Sequence, residues 1–235
     1  ETTAYVADPP VVDELDDVAR ITGHPLFVRK TRFHALNQKA VARKYARSVD
    51  RPYKELSLIV AHMGGGISVG AHRKGLIVDV NDALDGDGPF TPERSGTLPA
   101  GDLARLCFSG KYPHDEIRKM LTGKGGLTAY LGTNDVREVE KRIAEGDDHA
   151  RLVMDAMIYQ ISKEIGAMST VLEGDVDAII LTGGMAHSAR ITEAIGRRVG
   201  KIAPLSVYPG EDEMEALALN GLYVLRGEIR AKEYL

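Results

Sequence analysis

The residues best suited to chemistry lie in glycine loops and in one irregular polar stretch. His62, Met63, Gly64, Gly65 and Gly66 follow a short apolar run over 56–61. Glycine lets backbone N–H groups approach a bulky anion and accepts positive φ, so a row of such N–H groups forms a phosphate nest. A second cluster, Gly123-Lys-Gly-Gly126, reads as a helix stop with a flexible loop. A third, Thr182-Gly-Gly-Met-Ala-His187, lies between an apolar strand and a helix. Residues 81–101 show no periodicity, and about twenty irregular residues within a compact domain more often serve function than not. That stretch carries Arg94, between Pro92-Glu93 and Ser95-Gly96. A planar guanidinium fork suits a planar phosphoryl group.

The element after the first triplet decides between nucleotide-binding devices. Gly64-x-Gly66-x-x-x-Gly70 superficially matches a dinucleotide fingerprint, which needs a helix after the glycines. In this chain a strand over 67–72 comes next, then a turn at 73–75 and a second strand over 76–80. No G-x-x-x-x-G-K-[ST] occurs. The expected unit is a strand, a glycine loop and a hairpin.

Other elements must position these loops. Residues 4–7 read as a strand ended by Asp8-Pro-Pro10, and 11–21 as a short helix. Residues 33–46 read as a helix starting near His34. Asp102 caps a helix through Phe108, and 114–121 and 135–144 form two more. The longest helix begins at Asp147 or Asp148 and ends near Glu173. Its apolar stripe is Ala150, Val153, Met154, Met157, Ile161, Ile165, Met168 and Leu172. A strand over 177–181, a helix over 188–200, a strand over 202–208 and a closing helix over 211–227 complete the chain.

Bulk properties exclude several classes. The net charge of −4 over 235 residues gives no reason to expect a nucleic-acid partner. The seven histidines are unclustered, and no zinc spacing occurs. There is no run of 18 apolar residues and no signal peptide, so no membrane partner is expected. The single cysteine, Cys107, fits a reducing cytoplasm and reads as a buried structural thiol. The chain opens on Glu1 within an apparent strand, so an upstream segment is expected.

Read together, several words resemble the butyrate kinases of the acetate kinase family. They are Phe33-His-Ala-Leu-Asn-Gln-Lys-Ala, Ala61-His-Met-Gly-Gly-Gly-Ile-Ser-Val-Gly-Ala-His, Asn81-Asp-Ala-Leu-Asp-Gly-Asp-Gly-Pro-Phe-Thr-Pro-Glu-Arg-Ser-Gly, Cys107-Phe-Ser-Gly-Lys-Tyr, Leu181-Thr-Gly-Gly-Met-Ala and Tyr208-Pro-Gly-Glu-Asp-Glu-Met-Glu-Ala-Leu-Ala. The resemblance covers essentially the whole chain and implies an α/β, actin-like ATPase fold. It implies mainly the C-terminal lobe, a mixed sheet with hairpins and helices. The family's N-terminal Asp-x-Gly-Ser/Thr hairpin does not occur in this chain, so the first lobe is expected to be largely missing. The implied division is 1–10 as a remnant of that lobe, 11–212 as the nucleotide-binding lobe, and 213–235 as a helix returning to the first lobe.

The resemblance implies reversible phosphoryl transfer between ATP and butanoate, with ATP or ADP and magnesium as cofactors. It makes Arg94 the transition-state cation and His34 a donor to the transferring phosphoryl. It assigns His62 to phosphate positioning, and Asp8 to orienting magnesium or Arg94. Glu211 or Glu213 is implied to be magnesium-associated, with Asp212 an open alternative. Gly64, Gly65 and Gly66 are implied to meet phosphate, and Gly183, Gly184 and Met185 the adenosine. The acidic segment 81–87 is implied to shape the acyl pocket. Open alternatives are a branched-chain fatty acid kinase and a non-catalytic nucleotide-binding or dimerising lobe. The resemblance also implies a homo-oligomer, or a missing N-terminal segment supplied in trans.

Overall fold

The computed structural model describes residues 4–211, 213–228 and 230–231. Within them, the strands are β1 (Ser57–Met63), β2 (Ile67–Arg73), β3 (Leu76–Val80), β4 (Ala178–Gly183) and β5 (Leu205–Pro209). They form one sheet in the order β3-β2-β1-β4-β5. β1, β2 and β3 are an antiparallel meander, while β4 runs parallel to β1, and β5 parallel to β4. The turn between β2 and β3 has positive φ at both Lys74 (54°) and Gly75 (80°), as a two-residue hairpin twisted to match its strands requires.

Helices cover both faces. They are α1 (Asp17–Arg20), α2 (Ala35–Ser48), α3 (Ala100–Cys107), α4 (His114–Leu121), α5 (Gly126–Leu131), α6 (Val136–Ala144), α7 (Asp148–Val171), α8 (Ala189–Val199) and α9 (Glu213–Leu225). Strand side chains alternate between faces, and β1 uses both. Ile59, Ala61 and Met63 join the core built on Met154, Met157, Ile161 and Ile165 of α7, together with Ile191 and Ile195 of α8. Leu58 and Val60 point the other way, onto Val41, Ala42 and Ala46 of α2. Each fully buried Leu, Ile, Val or Met side chain among these contributes about 1.5–3 kcal/mol. His62 lies on the α2 face by the same alternation. Its register partner on β2 is Ser68, followed on that face by Gly70 and His72.

Side-chain caps begin three of the helices. Asp135 accepts from Arg137 N at α6, Asp147 from Ala150 N at α7, and Ser188 from Ile191 N at α8. α9 leans on α2 through Arg43 to Asn220 (3.4 Å) and Arg47 to Tyr223 (3.0 Å). Its other face leaves Met214, Leu217 and Leu225 exposed.

Several expectations need correction. Residues 4–7 form no strand; residues 1–3 lie outside the described residues. Only four residues of 11–21 are helical, because the acidic side chains there reach other elements. Glu14 accepts from Lys39 Nζ at 2.6 Å and from Ile77 N at 3.0 Å, and Asp16 pairs with Arg73. Cys107 is exposed, since it ends a helix that buries none of its residues. Asp102 is no cap: α3 begins two residues earlier, after Pro99, and Asp102 pairs with Arg105. Gly125 and Gly126 form no free loop, because they pack beneath the Arg94 loop. Among the described residues no helix is long and apolar enough to cross a membrane.

Candidate functional site

β1 and β4 are adjacent and parallel, so their C-terminal ends open on the same edge of the sheet. Ligands of open α/β sheets bind outside such ends. The triplet Gly64, Gly65, Gly66 emerges there as a tight turn in which Gly64 N donates to Gly66 O at 2.9 Å. That bond occupies one of the N–H groups expected in the nest.

A cleft of about 710 Å³ lies on one side of the turn, lined by Gly64, Gly65, Gly184, Met185, Asp135 and Arg137 among others. Two glycine loops far apart in sequence thus share a hollow. Gly183 and Gly184 play different parts. A Cβ on Gly183 (φ 87°) would lie 2.5 Å from Met63 O, so glycine there serves the approach of β4 to β1. Gly184 has nothing within 4 Å of a built Cβ and borders the cleft.

An ionisable group adjoins the same turn: a Cβ on Gly64 would lie 3.1 Å from Glu211 Oε1 and 3.3 Å from His62 Nε2. The His34 and His62 rings stack at 3.8 Å and 15°. His34 is the N-cap residue of α2, yet its side chain caps nothing, because Nδ1 lies 2.9 Å from Ser68 Oγ. His62 Nδ1 lies 2.9 Å from Asn37 Oδ1. Its Nε2 lies 3.1 Å from Glu211 Oε1 but makes no well-aligned hydrogen bond among the described residues. The neighbouring His62 imidazole holds the Glu211 carboxyl below the usual carboxylate range. Burial pushes His34 down to about 3, helped by His62 and Arg94, so its ring is neutral at pH 7. Arg94 packs its guanidinium against Gly66, where any side chain would collide with it, and donates to Ala83 O at 2.5 Å. Burial lowers its pKa, opposed by Glu93 and Asp82, yet a guanidinium stays charged.

The irregular stretch has an internal frame. Thr91 Oγ1 donates to Gly65 O at 2.6 Å and accepts from Glu93 N and Arg94 N. One hydroxyl therefore ties the glycine turn to the arginine. Gly123 N and Gly125 N donate to Glu93 O at 2.8 and 3.0 Å, and Leu127 N to Thr91 O. Gly126 (φ 56°) has no room for a Cβ against Thr91 O. The second glycine cluster is therefore the seat of the Arg94 loop. In the acidic segment, Asp82 and Asp85 hold Arg32 at 2.6 and 3.0 Å, and Asn81 bonds Val69 N and Ile67 O across the end of β2. A smaller hollow of about 440 Å³ adjoins Arg94, between Arg32 and Arg118.

The structure therefore brings together His34, His62, Glu211, Arg94 and Gly64, Gly65 and Gly66. It places Asp8 with Lys39 and Arg43, at 3.4 Å from each, rather than against Arg94. Glu213 begins α9 and is exposed, and Asp212 lies outside the described residues. Sequence reasoning missed Asn37, Gln38, Ser68 and His72 behind the histidine pair, and the cleft wall at 134–137. The signal for the first four was present: Ser68-x-Gly70-x-His72 has strand period, and Asn37 and Gln38 follow His34 by three and four residues, one helical turn.

His72 gives a testable pH dependence. Burial, with Lys39 and Arg43 adding, pushes it down from 6.5 to about 3. Between those values the unfolded chain binds a proton that the folded chain refuses, so stability is lost as pH falls through that window. At pH 5 this group alone should cost roughly 2 kcal/mol relative to pH 7. Urea denaturation at both pH values should show the loss, and His72→Gln should reduce it, leaving the part that His34 contributes; an unchanged pH dependence in the variant would contradict a buried neutral His72 ring.

The family model described as Acetokinase family matches residues 13–205. Butyrate kinase 2 of Clostridium acetobutylicum is 57% identical over 232 residues, covering 99% of this chain and 65% of that relative. A probable butyrate kinase of Bacteroides thetaiotaomicron is 54% identical, covering 98% of this chain and 65% of its own length. The chain thus spans about 65% of the length of these curated relatives. Among solved structures, acetate kinase of Porphyromonas gingivalis superposes with a TM-score of 0.83 at 22% identity, over 93% of this chain and 63% of the other. A propionate kinase of Francisella tularensis gives 0.76 at 21%, over 86% and 59%. The fold is therefore the actin-like ATPase fold that the sequence words implied.

Proposed function

The chain belongs to the acetokinase family, and from that premise we propose that it forms the nucleotide-binding part of an enzyme that phosphorylates a short-chain carboxylate, butanoate, at the expense of ATP. One observation carries the reading. The glycine turn after β1 borders both a large cleft, shared with the Gly184 loop, and a group made of buried His62, half-buried His34 and Arg94, and the more exposed Glu211. A nucleotide in the cleft would direct its terminal phosphates over the turn towards that group.

A carboxylate oxygen attacks the γ-phosphorus, a P–O bond forms, the bridging bond to the β-phosphate breaks, and ADP leaves; the reverse reaction retraces these steps. A carboxylate is already a nucleophile, so catalysis is mostly alignment and charge neutralisation. Arg94 supplies the cationic fork, His34 a neutral N–H donor, and His62 with Glu211 the position of the phosphate. Among the described residues no three acidic, histidine or cysteine side chains gather as a metal cage. Magnesium is commonly bound by one or two carboxylates plus phosphate oxygens and water. Glu211, beside Gly64 and partly exposed, is the carboxylate that would hold it. When bound, magnesium would neutralise phosphate charge. Asp8 then acts through α2, by holding Lys39 and Arg43.

The exposed face of α9, with Met214 79% and Leu225 80% exposed, fits a returning helix that another lobe or a second copy covers. Butanoate specificity rests on the 54–57% identity to butyrate kinases. The test is acyl-phosphate formation, trapped with hydroxylamine, by the protein at the length of its relatives. Butanoyl hydroxamate should form with ATP and magnesium, faster than the isobutanoyl or acetyl product. ATP hydrolysis with no hydroxamate from any of the three acids would contradict the reading.

A further inference from the structure

A continuous line of polar side chains runs along the α2 face of the sheet from Tyr53 to His34. Tyr53 Oη lies 2.8 Å from His72 Nδ1, and His72 Nε2 lies 3.0 Å from Gln38 Oε1. Gln38 Nε2 lies 2.8 Å from Ser68 Oγ, which lies 2.9 Å from His34 Nδ1. Gln38, Ser68 and His72 are completely buried. Gly70 has no side chain because Gln38 crosses there; a Cβ would collide with Oε1. The middle of this line is closed to water, so Gln38, Ser68 and His72 must settle the directions of their bonds internally, since an unpaired buried donor is costly.

The directions follow from one fixed point. Gln38 Nε2 also lies 3.1 Å from the Ser68 carbonyl oxygen, which can only accept. The amide nitrogen therefore faces Ser68, and Oε1 faces His72. His72 must donate from Nε2. A fully buried ring avoids carrying two protons, so Nδ1 keeps its lone pair and accepts from the Tyr53 hydroxyl. At the other end Gln38 donates to Ser68 Oγ. The Ser68 proton is then free to point at His34, whose Nδ1 accepts it. The proton of the neutral His34 ring is left on Nε2.

We propose that Gln38, Ser68 and His72 are positioning residues that hold His34 as the Nε2–H tautomer, an oriented neutral hydrogen-bond donor. What that donor meets rests on the phosphoryl-transfer reading above; the tautomer itself does not. The relay gives a reason for the neutral ring to be useful: a single N–H with a fixed direction can bond a phosphoryl oxygen without delivering a proton to it.

Long-range proton–nitrogen NMR of the intact protein, labelled with ¹⁵N-histidine, reads this directly. The His34 signals are identified by their loss in His34→Gln. Nε2 should resonate as the protonated nitrogen and Nδ1 as the bare one, and His72 should show the same pattern. Ser68→Ala, which removes only the hydroxyl, should move the Nδ1 signal downfield as its donor is lost. Gln38→Glu replaces the amide donor with an acceptor, so Ser68 should turn and the His34 proton should move to Nδ1. A proton on Nδ1 in the parent protein would overturn the proposal. So would a Nδ1 signal unmoved by Ser68→Ala, a variant small enough to fold even if Gln38→Glu does not. Unchanged turnover in His34→Ala would remove His34 from phosphoryl transfer while leaving the tautomer result standing, so the two failures are distinct.

Discussion

Arg94→Ala should lower kcat by roughly 10²–10³, about 2.7–4 kcal/mol of transition-state stabilisation, in the protein at the length of its relatives. The KM for ATP should change far less. The reason is geometric. Thr91 bonds both Gly65 O and Arg94 N, and the Arg94 guanidinium fills the space that a side chain on Gly66 would need. The cation is thus tied to the glycine turn, which on the proposed reading would meet phosphate, rather than to the cleft walls that would meet the nucleoside. Charge spreads onto the equatorial oxygens only as the phosphoryl passes between donor and acceptor, so the loss falls on kcat. Arg94→Lys should recover part of the rate, because it restores the charge without the fork. Near-normal turnover in Arg94→Ala would remove this residue from the mechanism.

Neighbouring glycines should respond in opposite ways. In Gly183→Ala a methyl group would meet the Met63 backbone at 2.5–2.8 Å, at a φ of 87° that alanine rarely adopts. Overpacking costs ~1–3 kcal/mol, and a strained backbone conformation a further ~1–3 kcal/mol. The variant should therefore lose ~2–6 kcal/mol of stability by urea denaturation, a large part of what a domain has. Gly184→Val should fold with near-parental stability, because nothing lies within 4 Å of a built Cβ, yet it should weaken MgADP binding by filling the cleft. Parental stability in Gly183→Ala would contradict a packing role for that glycine. Undiminished MgADP affinity in Gly184→Val would contradict a nucleotide-facing role for its neighbour.

Much of the architecture was legible because it is periodic. The α7 stripe from Ala150 to Leu172 is buried as its spacing predicts, and the hairpin of β2 and β3 turns at Lys74 and Gly75. The acidic residues of 11–21 misled, because Glu14 and Asp16 satisfy partners on α2, β2 and β3 that no local window contains. Cys107 misled because its apolar neighbours belong to a short helix with no buried residue. The Gly125 and Gly126 pair looked like slack chain. Its purpose, close packing under Thr91 and Arg94, depends on a contact across some thirty-five residues of sequence. At the candidate site, His34, His62 and Arg94 could be singled out one at a time, and the structure brings them together. The residues linked to His34, namely Gln38, Ser68 and His72, carry only a helical and a strand spacing in the sequence, and their connection to it becomes visible only when α2 is laid on the sheet.

The central claim is that nucleotide occupies the cleft between the turn at 64–66 and the loop at 184–185. The most direct measurement tracks the backbone amide signals of this chain by NMR as MgADP is added. Gly64, Gly65, Gly184 and Met185 should show the largest shifts and share one saturating curve, while Gly110 and Gly174, on distant turns, should stay in place. Saturable shifts centred instead on Arg118, Leu121 and Thr122 beside the smaller hollow, or no saturable shift in a chain that circular dichroism shows to be folded, would contradict it.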